Sequence, residues 1–368
     1  MKKFINQMEP VIGKEEQTAM SDYLKSGGWL TEFKKTKELE EMIAQYTGAK
    51  HACMVSNGTV SLFIALLALG IGKGDEVLVP DLTMIASANT VILSGAEPIF
   101  VDINKENLSI DLNLAQKAIT DRTRAMMFVS LNGRSPNMDD VIYFCKKNNL
   151  YLIEDAAQSL GSTWNGKHMG TFGEIGSFSF SSPKVITTGQ GGALVTDSDI
   201  LIEKIRHIKD FGRSKSGVDD YITLGYNFKF TDLQSVIGIE QMKKLPWRVE
   251  RKKEIYNLYL AQLSSVSQIQ FISTNLKNTS PWLIDVLAER RDELITYLLE
   301  NQIGSRKFYP AIHTQAPYKD LQRYRDSQYP ISEAVSSKGI WLPSSSILKN
   351  EEVSQVCDAI KKFYSANP

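Results

Sequence analysis

Residues 150–162 read LYLIEDAAQSLGS. Leu150 to Ile153 form a short apolar run, the pattern of a strand buried on both faces of a parallel sheet. The run carries Glu154 and Asp155 to its carboxyl end, where open α/β sheets bind ligands. Asp155 has two readings. It can cap the helix that follows, or it can pair with the protonated ring nitrogen of a heteroaromatic cofactor and keep that ring electron-poor. Gln158 is either a capping-box partner or a hydrogen bond to a hydroxyl on such a ring.

A second segment, residues 176–192, reads GSFSFSSPKVITTGQGG. Phe178 to Phe180 read as a strand end, with aromatics alternating with Ser177 and Ser179. Lys184 follows on a Ser/Pro turn, and Gly189, Gly191 and Gly192 lead into a second strand, ALVTD. A lysine there is either a solvated surface charge or an amine placed for a Schiff base with an aldehyde. The third segment, VSNGTVSLFIALLALGIG at residues 55–72, starts a helix. Ser56 and Asn57 are capping types, Gly58 permits close backbone approach, and Leu62, Leu66 and Leu69 fall at helical spacing. It reads as a plain helix start or, through free amides and the positive dipole end at Gly58 and Thr59, as an anion seat.

These segments occur in an order that resembles the DegT/DnrJ/StrS-type sugar aminotransferases, and among them the perosamine-synthase group of nucleotide-sugar 4-aminotransferases. The likeness runs over nearly the whole chain. It includes SGGWLTEFKKTKELE, ILSGAEPIFVDIN, GKHMGTFGEIGSFSFSSPKVITTGQGG, LGYNFKFTDLQSVIGIEQMKKL, SRKFYPAIHTQAPY and IWLPSS. The resemblance implies an α/β protein of fold type I of the pyridoxal 5'-phosphate enzymes. It implies a largely parallel central sheet with helices on both faces and a smaller C-terminal α+β domain. Lys184 would bond the cofactor aldehyde and Asp155 would contact the pyridine nitrogen. Gln158 would bond the ring hydroxyl, and Gly58, Thr59 and Ser179 would hold the phosphate. Asn227, after the GY pair, would reach the phosphate of the neighbouring subunit, making a homodimer with shared active sites. His313 would contact the sugar, Arg213 the nucleotide diphosphate through its guanidinium fork, and Lys229 a second phosphate. As bare residues, these three also read as a structural histidine, a loop arginine and a helix-flanking charge.

The implied reaction moves an amino group from a donor, glutamate, to a nucleotide-linked keto-6-deoxy sugar at C4, in amino-sugar and O-antigen-type glycan synthesis. C3 amination, another sugar scaffold, and a non-catalytic cofactor-binding regulator are the alternatives. A related subgroup that dehydrates at C3 has His in place of the lysine, and Lys184 opposes that chemistry. Two departures stand out. Where the family has an aromatic over the ring, this chain has Met84, whose thioether covers a ring face less rigidly. SLNGRSPNM also replaces HxYGxxxxM, so Asn132 and Arg134 are expected to shape a different pocket wall.

Composition fits this reading. Lys plus Arg equals Asp plus Glu at 42 each in 368 residues, so no basic field draws the chain to nucleic acid or membrane. Three widely spaced cysteines suit a reducing cytoplasm. The four histidines show no metal spacing, and no metal is expected. No run approaches the ~20 apolar residues of a membrane span, and the N-terminus lacks a signal-peptide pattern.

The coarse order starts with helices at 14–25 and 37–47. Strands follow near 76–79, 97–101, 125–130 and 151–153, with helices between them. Helices at 201–207 and 232–244 and a long connecting helix at 245–263 come next, then helices at 290–302 and 351–365. The expected division is residues 1–245 for the cofactor-binding domain and 246–368 for the smaller one.

Overall fold

The computed structural model describes residues 3–321 and 328–366. Two helices, α1 (Lys14–Lys25) and α2 (Lys34–Thr47), precede the first strand. Helix α2 begins at Lys34 rather than Lys37, for a reason local sequence does not carry. The Asp232 carboxylate accepts the backbone amides of Phe33, Lys35 and Thr36, together with the Thr36 hydroxyl. A carboxylate from far along the chain thus takes the place of a local N-cap.

The main sheet has seven strands. In chain order they are β1 (His51–Val55), β2 (Glu76–Pro80), β3 (Glu97–Val101), β4 (Thr123–Val129), β5 (Tyr151–Asp155), β8 (Ile175–Ser179) and β9 (Gly192–Thr196), with a small hairpin of β6 (Thr163–Trp164) and β7 (Lys167–His168) between β5 and β8. Their spatial order is β1-β9-β8-β5-β4-β2-β3. The pairs from β8 through β3 are parallel, while β9 runs antiparallel to both β8 and β1. The reversal at β9 follows from its connection. Residues 180–191 contain no helix, so the chain doubles back instead of crossing over. That returning loop holds Lys184.

Helices cover both faces because the strands are apolar on both. Val77 and Val79 of β2, with Ala125 and Met127 of β4, pack in a cluster with Leu62 and Leu66 of α3 (Gly58–Ala68) and Val91 of α4 (Ala86–Leu93). Leu78, Met126 and Phe128 point the other way. They join Ala115 of α5 (Leu112–Ala118) and Met138 and Phe144 of α6 (Met138–Lys147). Helix α7 (Asp199–Lys209) adds Ile202 and Ile205 to the first face. Helix α8 (Asp232–Leu263) runs through Pro246 and joins the two helices expected at 232–244 and 245–263. The expected division between residues 245 and 246 therefore falls inside one continuous helix.

The smaller domain has a four-stranded antiparallel sheet, ordered β10 (Ile269–Phe271), β11 (Ile284–Ala288), β13 (Gly339–Leu342) and β12 (Arg306–Lys307). Helices α9 (Arg291–Glu300), α10 (Pro330–Lys338) and α11 (Asn350–Ala366) accompany it.

Two buried polar contacts staple the sheets together beside the carboxyl ends of β4 and β5. Asn132 exchanges two hydrogen bonds with the Leu283 backbone, at 2.6 and 2.7 Å. Arg134 forms a bidentate pair with Asp285, both side chains essentially without solvent contact. Asn132 and Arg134 therefore do not line the pocket wall expected of them. They are spent on docking β11, since a buried guanidinium needs its carboxylate. Arg134→Ala should cost about 3–5 kcal/mol in denaturant unfolding by stranding Asp285. Replacing both partners with apolar residues of similar volume should recover much of that loss.

Candidate active site

Lys184, Asp155, Gly58, Ser179 and Gln158 all lie at the carboxyl ends of the parallel strands or on the loops that leave them. Asp155 ends β5 and is buried, 6% exposed. Its carboxylate accepts the Ser87 hydroxyl at 2.7 Å and the Ala157 amide at 3.2 Å. Burial pushes this carboxyl above its ordinary range, against the pull of Ser87, Ala157 and the Lys184 charge. The neighbouring Glu154 points to the opposite face, as alternation requires, and accepts the amides of Gly170, Phe172 and Gly173. It shapes a loop.

Lys184 sits on a turn closed by its own amide donating to Ser181. Its Nζ lies 4.0 Å from the centroid of the Trp282 ring. Loss of water pushes the amine down to about 8, while the Asp155 carboxylate pulls it up. A base of that strength is partly free near neutral pH. A lowered value does not identify the reactive lysine by itself, because burial pushes Lys252 down to about 7. Lys252, however, donates to the carbonyls of Trp282 and Ser344 inside the core of α8. Among the described residues, Lys184 has no such carbonyl partners, and the charge of the Asp155 carboxylate acts on it instead.

The anion seat is built by close approach. A Cβ at Gly58 would lie 2.9 Å from Ser179 Cβ, so only glycine brings the start of α3 against the end of β8. Asn57 caps α3 by accepting the Val60 amide at 2.9 Å. The amides of Gly58 and Thr59, in the first turn, have no helical carbonyl to bond. Gln158 is buried, and its carbonyl oxygen accepts the Asn132 amide at 2.7 Å, which leaves its NH2 as the donor. Met84 is 45% exposed, with its sulfur 3.1 Å from the Ala86 amide.

Asn227, Arg213 and Lys229 form a second group, around Asp210. Arg213 and Lys229 share its carboxylate, at 3.1 and 2.8 Å, and Arg213 also bonds Asp219. Asn227 bridges to Asp210 through the backbone and is exposed. A cavity of about 670 Å³ adjoins this group, lined by Glu32, Phe33, Arg206 and Arg213 among others. It includes neither Lys184 nor Asp155. His313 stands apart, with Nδ1 on the buried Asp81 at 2.7 Å, Nε2 3.2 Å from Glu333, and its ring stacked on Tyr329.

Two site neighbours carry no local sign in the sequence. Ser87 reaches Asp155 from the start of α4, and Trp282 reaches Lys184 from the smaller domain. The Trp282 Nε1 donates to the Pro183 carbonyl at 2.7 Å, a contact that only the tertiary fold creates.

Residues 10–361 match the model of the DegT/DnrJ/EryC1/StrS aminotransferase family. The chain belongs to that family. It is 36% identical over 366 residues to the GDP-perosamine synthase of Escherichia coli O157:H7, covering 99% of both chains. The Vibrio cholerae protein of the same name is 34% identical, over 97% of this chain and 98% of that one. Among solved structures, S. venezuelae DesV superposes with a TM-score of 0.89 at 31% identity, covering 95% of this chain and 94% of that one. This chain is a sugar aminotransferase, and its cofactor is pyridoxal phosphate. The residues present fit that group, with a cradle at Gly58 that a Cβ would fill, a buried carboxylate and an adjacent weakened amine. Among the described residues, no helix is long and apolar enough to cross a membrane.

Gly58→Ala should strain the α3–β8 contact by about 1–3 kcal/mol and weaken cofactor binding, read by fluorescence titration. Unchanged affinity would remove Gly58 from the seat. A pH test follows from His313. Burial opposes its charge, but Asp81 and then Glu333 raise its proton affinity above the usual value. A raised folded-state value stabilises fully below about pH 6.5 and fades as pH rises through that value. The melting-temperature gap between wild type and Asp81→Asn should therefore be widest in acid and narrow towards alkaline pH.

Proposed function

We propose that this enzyme moves an amino group from glutamate to C4 of a nucleotide-linked 4-keto-6-deoxy sugar, as a homodimer with shared sites. The observation that carries the reading is the Lys184 amine, weakened by burial and set beside the buried carboxylate of Asp155. The full-length likeness to two proteins named GDP-perosamine synthase supports the sugar and the position.

Pyridoxal phosphate, when bound, supplies an aldehyde that carries the amino group and a ring that accepts the electron pair released at the donor's α-carbon. Lys184 is the base that takes the α-proton and, on the return, the acid that delivers it, a role suited to a group titrating near 8. Asp155, oriented by Ser87 and the Ala157 amide, holds a proton on the ring nitrogen. The Gly58 and Thr59 amides and the Ser179 hydroxyl receive the phosphate. Gln158, with its oxygen fixed by Asn132, turns its NH2 to the ring oxygen. Met84 covers a ring face.

The shared site rests on exposure. Phe211, Tyr221, Ile222 and Leu224 are large apolar side chains left open on the segments that carry Arg213 and precede Asn227, and Trp29, Leu30 and Phe33 are left open just before α2, where Phe33 lines the same cavity as Arg213. Such a patch suits a second copy of the chain. In this reading Asn227 completes the partner's phosphate seat, and Arg213 and Lys229, released from Asp210, meet the nucleotide diphosphate. His313 keeps Nδ1 on Asp81 and offers Nε2 to the sugar once the exposed Glu333 side chain swings away.

Lys184→Ala should lose on the order of 10²–10⁴-fold in turnover and should no longer be fixed to cofactor by borohydride. A panel of 4-keto and 3-keto nucleotide sugars should show amination of the 4-keto compounds. Preference for 3-keto sugars would overturn the C4 assignment. Mixing Lys184→Ala with Asn227→Ala chains should restore part of the activity if sites are shared, and none if each chain works alone.

A further inference from the structure

Trp282 is 3% exposed and stands just before β11 in the smaller domain. Every part of it is engaged. Its Nε1 donates to Pro183, the residue before Lys184, at 2.7 Å. Its carbonyl accepts the buried Lys252 ammonium at 2.8 Å. Its ring packs against Trp341, with centroids 5.9 Å apart, and its remaining face lies 4.0 Å from Lys184 Nζ. The next residue, Leu283, is held by Asn132, and Asp285 is held by Arg134. The indole is thus fixed from both domains before it meets the lysine.

An ammonium over an indole face is attracted by the ring quadrupole, most strongly for tryptophan and most effectively where water is excluded. The reaction requires an amine that is repeatedly released and recaptured. Once released, a four-carbon side chain has many rotamers to explore, and each wrong one delays proton transfer. A fixed aromatic face at the right height removes that search.

We infer that Trp282 is the positioning residue for the reactive lysine: its indole face, fixed by Pro183 and Lys252, receives the Lys184 ammonium whenever that amine is not bonded to cofactor. This rests on the assignment of Lys184 as the reactive amine. Because the ring favours the charged form, it raises the amine's proton affinity above what burial alone would leave. Asp155 acts in the same direction through charge, so the two groups share the task. The ring also accounts for the placement of the staple formed by Asn132, Arg134 and Asp285, which holds the segment presenting it.

The test uses the full chain stripped of cofactor, with the Lys184-bearing peptide followed by mass spectrometry after brief acetic anhydride labelling across pH. Wild type should show a labelling midpoint near 8. Trp282→Leu should lower that midpoint by roughly one pH unit, the size expected of a desolvated cation–π contact. Trp282→Phe, which keeps a face but loses the N–H, should fall between the two. A Leu variant at or above the wild-type midpoint would overturn the inference, as would a Phe variant equal to Leu. Should Leu at 282 unfold the chain, the Phe variant decides: a measurable fall supports the role, and no change overturns it. Failure of the underlying assignment reads differently, as borohydride fixing the cofactor to a peptide other than the one that contains Lys184.

Discussion

A cation and an anion kept from water at the same end of one sheet are what the rest of the structure depends on. Neither Lys184 nor Asp155 is comfortable there alone, since burial acts against the charge on each. Together they offset part of that cost, and what remains makes them useful. The amine is weak enough to give up its proton, and the carboxylate is dry enough for a ring nitrogen to be worth pairing with. The surrounding architecture serves this pair. Strand β5 delivers the acid, the loop between β8 and β9 delivers the base, and α3 sets an anion seat against β8 through a contact that only Gly58 permits.

The smaller domain is part of the same arrangement. Its first long strand, β11, is tied down by a buried ion pair and by a two-way asparagine contact. The residues at its start put an aromatic ring under the lysine. Buried ion pairs add little stability over apolar replacements and serve better as registry devices. That role fits here, because a shift of β11 by one residue would turn Trp282 away from Lys184.

The parts of the fold carried by local pattern were legible. Buried strands read as apolar runs, Ser56, Asn57 and Gly58 marked a helix start, and the residue pattern put Asp155 at a strand end and Lys184 on the turn that follows one, where the structure also has them. Four features were not legible, each for a physical reason. The antiparallel β9 depended on residues 180–191 forming no crossover helix. The start of α2 depended on Asp232, far away in the chain. Asn132 and Arg134, expected on a pocket wall, proved to be docking residues because their partners Leu283 and Asp285 lie about 150 positions on. Trp282 was invisible for the same reason: single-residue pattern carries no record of which distant side chain will meet it.

Among the described residues, two lysines are pushed well below the ordinary range, Lys184 and Lys252, and of these only Lys184 feels the charge of a carboxylate at the strand ends. Borohydride reduction of the cofactor-loaded protein, followed by peptide mass mapping, separates them directly. The account requires the cofactor's mass on the peptide containing Lys184. Its appearance on Lys252, or on no lysine, would contradict the central claim.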